Sequence, residues 1–220
     1  MSASKLLLKR ETASDPIGIP EYMMNKTLKA ELVAMAEYDL RVRAELVAAG
    51  ELFGGYNERM ASVHNENATK LDQIIDEFGW PGISLVGNDG AEAAWLIVMH
   101  AIGNPSFQRK CLPILKKAVE TGEASAAAVA CLDDRICVFE GRPQRYGTQF
   151  DWNGNGILCP HSLLDPEKVD QYRASVGLGT LSEKTQELRQ RAATEGHEQP
   201  IDFAKHQKAR EEWERSVGWR

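Results

Sequence analysis

Apolar residues recur at helical spacing through most of the chain, and polar groups interrupt the stripes at a few positions. From about Glu21 to Gly50 the spacing predicts a long helix with Leu28, Leu32, Met35, Ala36, Leu46 and Val47 on one arc. Asp39 and Arg43 fall in the middle of that arc, four residues apart. On a solvated face such a pair is a routine helix ion pair. Inside an apolar stripe both groups lose water, which is tolerated only with partners. Two readings follow: a buried ion pair joining two helices, or an Arg43 fork aimed at an anionic ligand and oriented by Asp39.

A Gly54-Gly55 break leads to a second expected helix, Asn57 to Phe78, closed by Gly79. Its stripe of Met60, Val63, Leu71, Ile74, Ile75 and Phe78 is interrupted at Asn67, with His64 beside that position. A buried Asn needs partners, so Asn67 is expected to reach another polar group across the core. After a loop spanning Trp80 to Gly90, with Asn88 or Asp89 as cap, a helix over Ala91–Ile102 is apolar all round after its first turn. His100 is the one titratable group in that apolar run. It reads equally as a satisfied core histidine or as a working group.

Ser106 is placed as the cap of a helix over Phe107–Thr121 that contains Pro113, and Ser125 as the cap of an alanine-rich helix ending near Glu140 and Gly141. Asp134-Arg135 lies on that last helix, where wheel position reads as a solvated charge pair. Then comes Gln144-Arg145-Tyr146-Gly147-Thr148-Gln149, which sets amides, a guanidinium, a phenol and a hydroxyl around one glycine. It reads either as a contact surface or as a turn into the hairpin that Asn153-Gly154-Asn155-Gly156 signals. Pro166 to Gly177 is expected to be helical, and from Ser182 the sequence is charge-dense, with Trp213, Val217 and Trp219 able to dock one face. The expected architecture is mainly α, orthogonal or bundled helices with one small β-hairpin after the Tyr-Gly-Thr-Gln segment. Its expected division is an irregular lead-in over 1–20, a helical domain over 21–181 with the hairpin near 147–160, and a charged helical extension over 182–220.

Composition narrows the function classes. With 220 residues, 43% hydrophobic and 26% charged, the chain can build an ordinary globular core. A net charge of −6 without a basic block argues against nucleic-acid binding through phosphates. No apolar run approaches the roughly 20 residues of a membrane span, and Leu6–Leu8 is too short for a signal peptide, so the expectation is a cytoplasmic protein without membrane association. Cys111, Cys131, Cys137 and Cys159 have no metal-ligand spacing, so neither a disulfide nor a metal is expected. Dinucleotide, Walker, nucleophile-elbow, His-Glu-x-x-His and di-iron Glu-x-x-His motifs are absent, so no cofactor is expected either.

Several of the singled-out residues coincide with a set of motifs: Glu31-Leu32, Met35, Asp39 and Arg43; Gly79-Trp80-Pro81; His100-Ala101; Asp134-Arg135; and Gln144 to Gln149. In these the region from about Leu28 to Leu181 resembles an uncharacterised bacterial domain family. The resemblance implies no activity, but it implies that Asp39, Arg43, His100, Asp134, Arg135, Gln144, Tyr146 and Gln149 form one site. The expected function is an enzyme acting on a small polar or anionic molecule in a cleft between helices. His100, Tyr146 and Asp39 would be catalytic, with His100 as the acid/base, its ordinary pKa suiting proton transfer at neutral pH. Arg43, Asn67, Asp134, Arg135, Gln144, Thr148 and Gln149 would bind substrate, by hydrolysis, acyl or amide transfer, or elimination chemistry. The alternative is a non-catalytic binding or regulatory helical module for a protein or peptide partner. Either reading leaves room for a homodimer.

Overall fold

The computed structural model describes residues 24–52 and 55–220; the lead-in expected over 1–20 and Gly54 lie outside the described residues. Its elements are α1 (Lys26–Ala49), α2 (Glu58–Phe78), α3 (Ile83–His100), α4 (Pro105–Glu120), α5 (Ala126–Phe139), β1 (Phe150–Trp152), β2 (Leu158–Pro160), α6 (Val169–Ser175), α7 (Leu181–Glu195) and α8 (Phe203–Ser216). Local chemistry sets most helix starts, because the first backbone N–H groups have no partner inside the helix. Asn25, Asn57, Asn104, Ser125 and Asp202 each accept such an N–H, and Thr180 forms a reciprocal capping box with Glu183. Asn104 rather than Ser106 caps α4, with Pro105 in the first turn. The helix expected from Pro166 is the short α6, which starts at Val169.

The stretch expected as a loop before α3 is mostly helical. Ile83–Val86 form a first turn that buries Val86 completely, and Gly87 then breaks the regular dihedrals at φ 68°, ψ 175° before the helix resumes. A left-handed φ favours glycine there, so the Gly-rich composition marks a kink inside the element and not its boundary. Among the described residues no helix is long and apolar enough to cross a membrane.

The core divides into two apolar clusters with a polar layer between them. The larger joins Leu32, Leu71, Ile97, Val98, Leu115 and Leu132, all fully buried, from α1 to α5. The smaller holds Val42, Leu46, Met60 and Val63, where the end of α1 meets the start of α2. Asp39 lies between Ala36 and Val42 on α1, and His64 and Asn67 lie between Val63 and Ala68 on α2. His100 terminates α3 beside this layer.

The hairpin pairs Phe150 with Pro160 and Trp152 with Leu158, and Asn153 Oδ1 accepts from Asn155 N and Ile157 N to shape its loop. The charge-dense C-terminal region folds against the body. Trp219 is buried, donates its indole N–H to Ile102 O at 2.8 Å and stacks on Phe139, while the Arg109 guanidinium lies 5.0 Å from its ring. Trp213 meets Tyr56 edge-on at 5.3 Å. Glu214, fully buried, is balanced by Arg220 at 2.6 Å and Arg210 at 3.7 Å.

Candidate functional site

Folding joins the interruptions of three helices. Asp39, 0% exposed on α1, accepts from His100 Nδ1 at 2.9 and 3.0 Å through both carboxylate oxygens. His64 on α2 places Nε2 3.3 Å from Asp39 Oδ2, and its Nδ1 is 2.8 Å from the Tyr56 hydroxyl. The His64–Asp39 approach is short but poorly directed, so the buried His64 Nε2 has no hydrogen-bond partner. The result is a chain of polar groups, Tyr56–His64–Asp39–His100, laid across the boundary between the two apolar clusters.

Electrostatics assign the protons. Burial opposes ionisation of Asp39, but the hydrogen bond from His100 and the close approach of the His64 imidazole outweigh it and hold the carboxyl down at about 2. Burial pushes the His100 imidazolium toward deprotonation, the Asp39 contact resists this, and the neighbouring His64 and Arg135 add to the lowering. A carboxylate can only accept, so the neutral His100 carries its proton on Nδ1, facing Asp39. Nε2 is then a free lone pair, and among the described residues nothing hydrogen-bonds to it. Burial and the Asp39 charge together push the Tyr56 phenol up, which keeps it a neutral hydroxyl.

His100 and His64 form part of the wall of a cleft of about 160 Å³, together with Arg43, Tyr56, Met60 and Ile102. The His100 side chain is 26% exposed, whereas Asp39 behind it is sealed. Arg43 does not pair with Asp39, contrary to the reading in which Asp39 orients it. Its guanidinium bonds Glu195, the last residue of α7, at 2.8 Å, while Asp39 is committed to the two imidazoles. The i, i+4 spacing put both side chains on one helix face. Tertiary neighbours gave each a different partner.

The Gln144–Gln149 segment is organised inward. Asp134, 1% exposed and not solvated as its wheel position suggested, accepts from Arg145 N, Tyr146 N, Thr148 N and Thr148 Oγ1 at 2.8–3.1 Å. Burial raises the Asp134 carboxyl above the ordinary range despite these hydrogen bonds. Gln144 is fully buried and bridges Gln149 N, Gln149 O and His161 O. The phenol of Tyr146 meets Tyr172 edge-on, and Arg173 donates to the carbonyls of Tyr146 and Gly147. Gly147 has φ 62°, a left-handed conformation that favours glycine, and a β-carbon there would come 2.8 Å from Leu181 Cδ1 and displace that side chain. Asn67 donates to Met35 O and ties α2 to α1.

None of Asp134, Gln144, Tyr146 or Thr148 lines the cleft. One thread joins the segment to it. Arg135 donates to Gln149 Oε1 at 3.0 Å and to Met99 O, the carbonyl next to His100. Burial pushes the Arg135 guanidinium down to about 10. Arg135 and Gln149 thus hold the end of α3 in place behind the imidazole. A second cavity of about 180 Å³ between the hairpin and α8, lined by Asp151, His161, His206 and Arg210 among others, contains none of the expected site residues.

Two residues that line the cleft, His64 and Tyr56, and Glu195, which pairs with Arg43 beside it, were not among the site residues expected from the sequence. His64 was legible: it lies four residues after Met60 and seven before Leu71, hence on the buried stripe. Tyr56 and Glu195 carry no such signal, since one comes from a connecting loop and the other from a helix remote in sequence. Although no sequence spacing suggests a metal, Asp39, His64 and His100 bring one ligand-type atom each within 4.8 Å of one another.

No curated protein and no solved structure matches the chain. A family model described only as a family of unknown function (DUF6624) matches residues 26–194, a span that runs from the first residue of α1 almost to the end of α7 and includes Asp39, His64, His100 and the whole Gln144–Gln149 turn, and the chain belongs to that family.

Proposed function

We propose that the protein is an enzyme acting on a small polar or anionic molecule in the cleft beside His100. One observation carries this reading: Asp39 locks His100 Nδ1, leaving Nε2 as a free lone pair on a ring that lines the cleft. A buried carboxylate that fixes an imidazole's tautomer and steadies the imidazolium formed on protonation is the arrangement a general base needs. His100 Nε2 takes a proton from the substrate or from an attacking water and returns it to the leaving group. Arg43, at the same cleft, anchors a carboxylate or phosphate in place of the Glu195 carboxylate it now holds.

Cleft size constrains the substrate. Pockets for drug-sized ligands run to roughly 300–1,000 Å³, and about 160 Å³ suits a molecule of few heavy atoms. Hydrolysis, acyl or amide transfer and elimination all use one such base. The test is a panel of small acids, esters, amides and phosphate esters assayed with wild type and His100→Gln. Turnover of a panel member should fall by about 10²–10⁴-fold in the variant, with the melting temperature within a few degrees. Retained turnover, or a variant that unfolds, would remove His100 from the chemistry.

A further inference from the structure

We infer that Asp39, His64 and His100 form a binding site for a divalent transition ion of the zinc class. The inference rests on reading the cleft as the working site, and it alters what His100 does when the ion is present. Two imidazoles and one carboxylate are ligands suited to such ions, and a three-ligand set leaves a position open for a molecule in the cleft.

The spacing fits. Ligand atoms bonded to one ion at roughly 2.0–2.2 Å stand about 3.3–3.6 Å apart in a tetrahedral set. Here the imidazole nitrogens lie 2.9 and 3.3 Å from Asp39 oxygens, and all three ligand atoms fall within 4.8 Å of one another. Small shifts of the two imidazoles, His100 away from Asp39 and the widest pair inward, close the set. Each ligand comes from a different helix, so the site is held by the core of the fold and not by a loop.

An independent observation points to the same occupant. His64 is 8% exposed, and its Nε2 is aimed at a carboxylate oxygen without making a hydrogen bond. An orphaned buried ring nitrogen beside a buried carboxylate is costly by itself. If Tyr56 accepts from His64 Nδ1–H, then Nε2 is a lone pair facing a second lone pair, and a cation between them turns that repulsion into two bonds. The Tyr56 hydroxyl then does what outer partners of metal-bound histidines do, fixing the tautomer through the other ring nitrogen. On the other side, His100 would move its proton to Nε2 and offer Nδ1 to the ion. The ion therefore competes directly with the proton that His100 shares with Asp39, and the metal-loaded protein loses His100 as a free base.

The experiment uses the full chain, stripped with EDTA and exchanged into chelator-free buffer. Zinc chloride is titrated in competition with a chromophoric chelator, and cobalt chloride is added in parallel to read the visible d–d bands of the site. The expected result is saturable one-to-one zinc binding and a cobalt spectrum of low coordination number. Affinity should fall at least 100-fold in His64→Gln and about 10-fold in Tyr56→Phe, a variant that keeps the ring and its packing. Absence of one-to-one binding, or equal affinity in wild type and both variants, overturns the site. The two readings fail separately. Turnover that needs His100 in EDTA-treated protein, without zinc binding, removes the metal and keeps the base. One-to-one zinc binding without any His100-dependent turnover does the reverse.

Discussion

Replacing Asp134 tests whether the Gln144–Gln149 turn is an internal structure or a substrate contact. In Asp134→Ala, three backbone N–H groups and one hydroxyl lose their acceptor inside the protein. A buried donor left unsatisfied costs about 1–3 kcal/mol. The three amides together would cost about 3–9 kcal/mol, less as far as the turn relaxes and admits water. The carboxyl is also pushed upward by burial, so removing it relieves some desolvation. The balance is a destabilisation of about 3–5 kcal/mol, comparable to breaking a buried charged network. For a chain of this size that lowers the melting temperature by roughly 10–15 °C. Asp134→Asn keeps one accepting oxygen but turns an NH2 toward the remaining donors, and should lose about 1–3 kcal/mol. Thermal melts by circular dichroism, with urea titrations at fixed pH, measure both. If the alanine variant melts within 2 °C of wild type, the carboxylate does not hold the turn, and Asp134 returns to being a candidate ligand contact.

Other outcomes follow from the same structure. Glu195→Gln should release Arg43, raising affinity for acetate or inorganic phosphate several-fold by NMR titration, while costing under about 1 kcal/mol as a partly exposed pair; unchanged affinity would show that Glu195 is no competitor. His161 is held down at about 4 by burial and by Arg210, against the nearby Asp151. The folded protein therefore keeps it neutral while the unfolded chain takes up a proton below pH 6.5, so stability is present above that pH and is lost as pH falls toward 4. Between pH 7 and 5 the loss is on the order of 2 kcal/mol, and urea titrations of His161→Gln should show a slope smaller by that amount. Deleting residues 182–220 removes Trp219 from the core, along with the partner of Arg43, so the remainder should melt at least 10 °C lower or aggregate. A remainder with native stability would make the C-terminal helices a detachable appendage.

Helix existence and much of the core were written in local patterns. The stripes on α1 and α2 name most of the residues that the structure buries, with Val47 only half-buried and Phe78 exposed, and the Ser125 cap marks a start that backbone chemistry demands. Asp39, Asn67 and His100 were visible because each breaks an apolar stripe, and a polar group there must find partners. The segment before α3 was misread because glycine density is the same signal for a loop and for a kink. Asp134 was misread because a helical wheel shows which side chains share a face but not what later packs on it. The turn that covers Asp134 arrives from residues 145–148.

Pairing is where local reading stops. Periodicity of 3.6 residues determines that Asp39 and Arg43 share a face of α1, and nothing local can place His100, sixty-one residues later, within hydrogen-bond distance of Asp39. Choosing His100 and His64 for Asp39, and Glu195 for Arg43, depends on how α2, α3 and α7 dock on α1. That docking follows from burying two apolar clusters at once, a condition met by the whole chain and by no segment of it. Once the clusters close, the polar residues between them have few acceptors and donors within reach. Short-range hydrogen bonding then decides the contacts of the site.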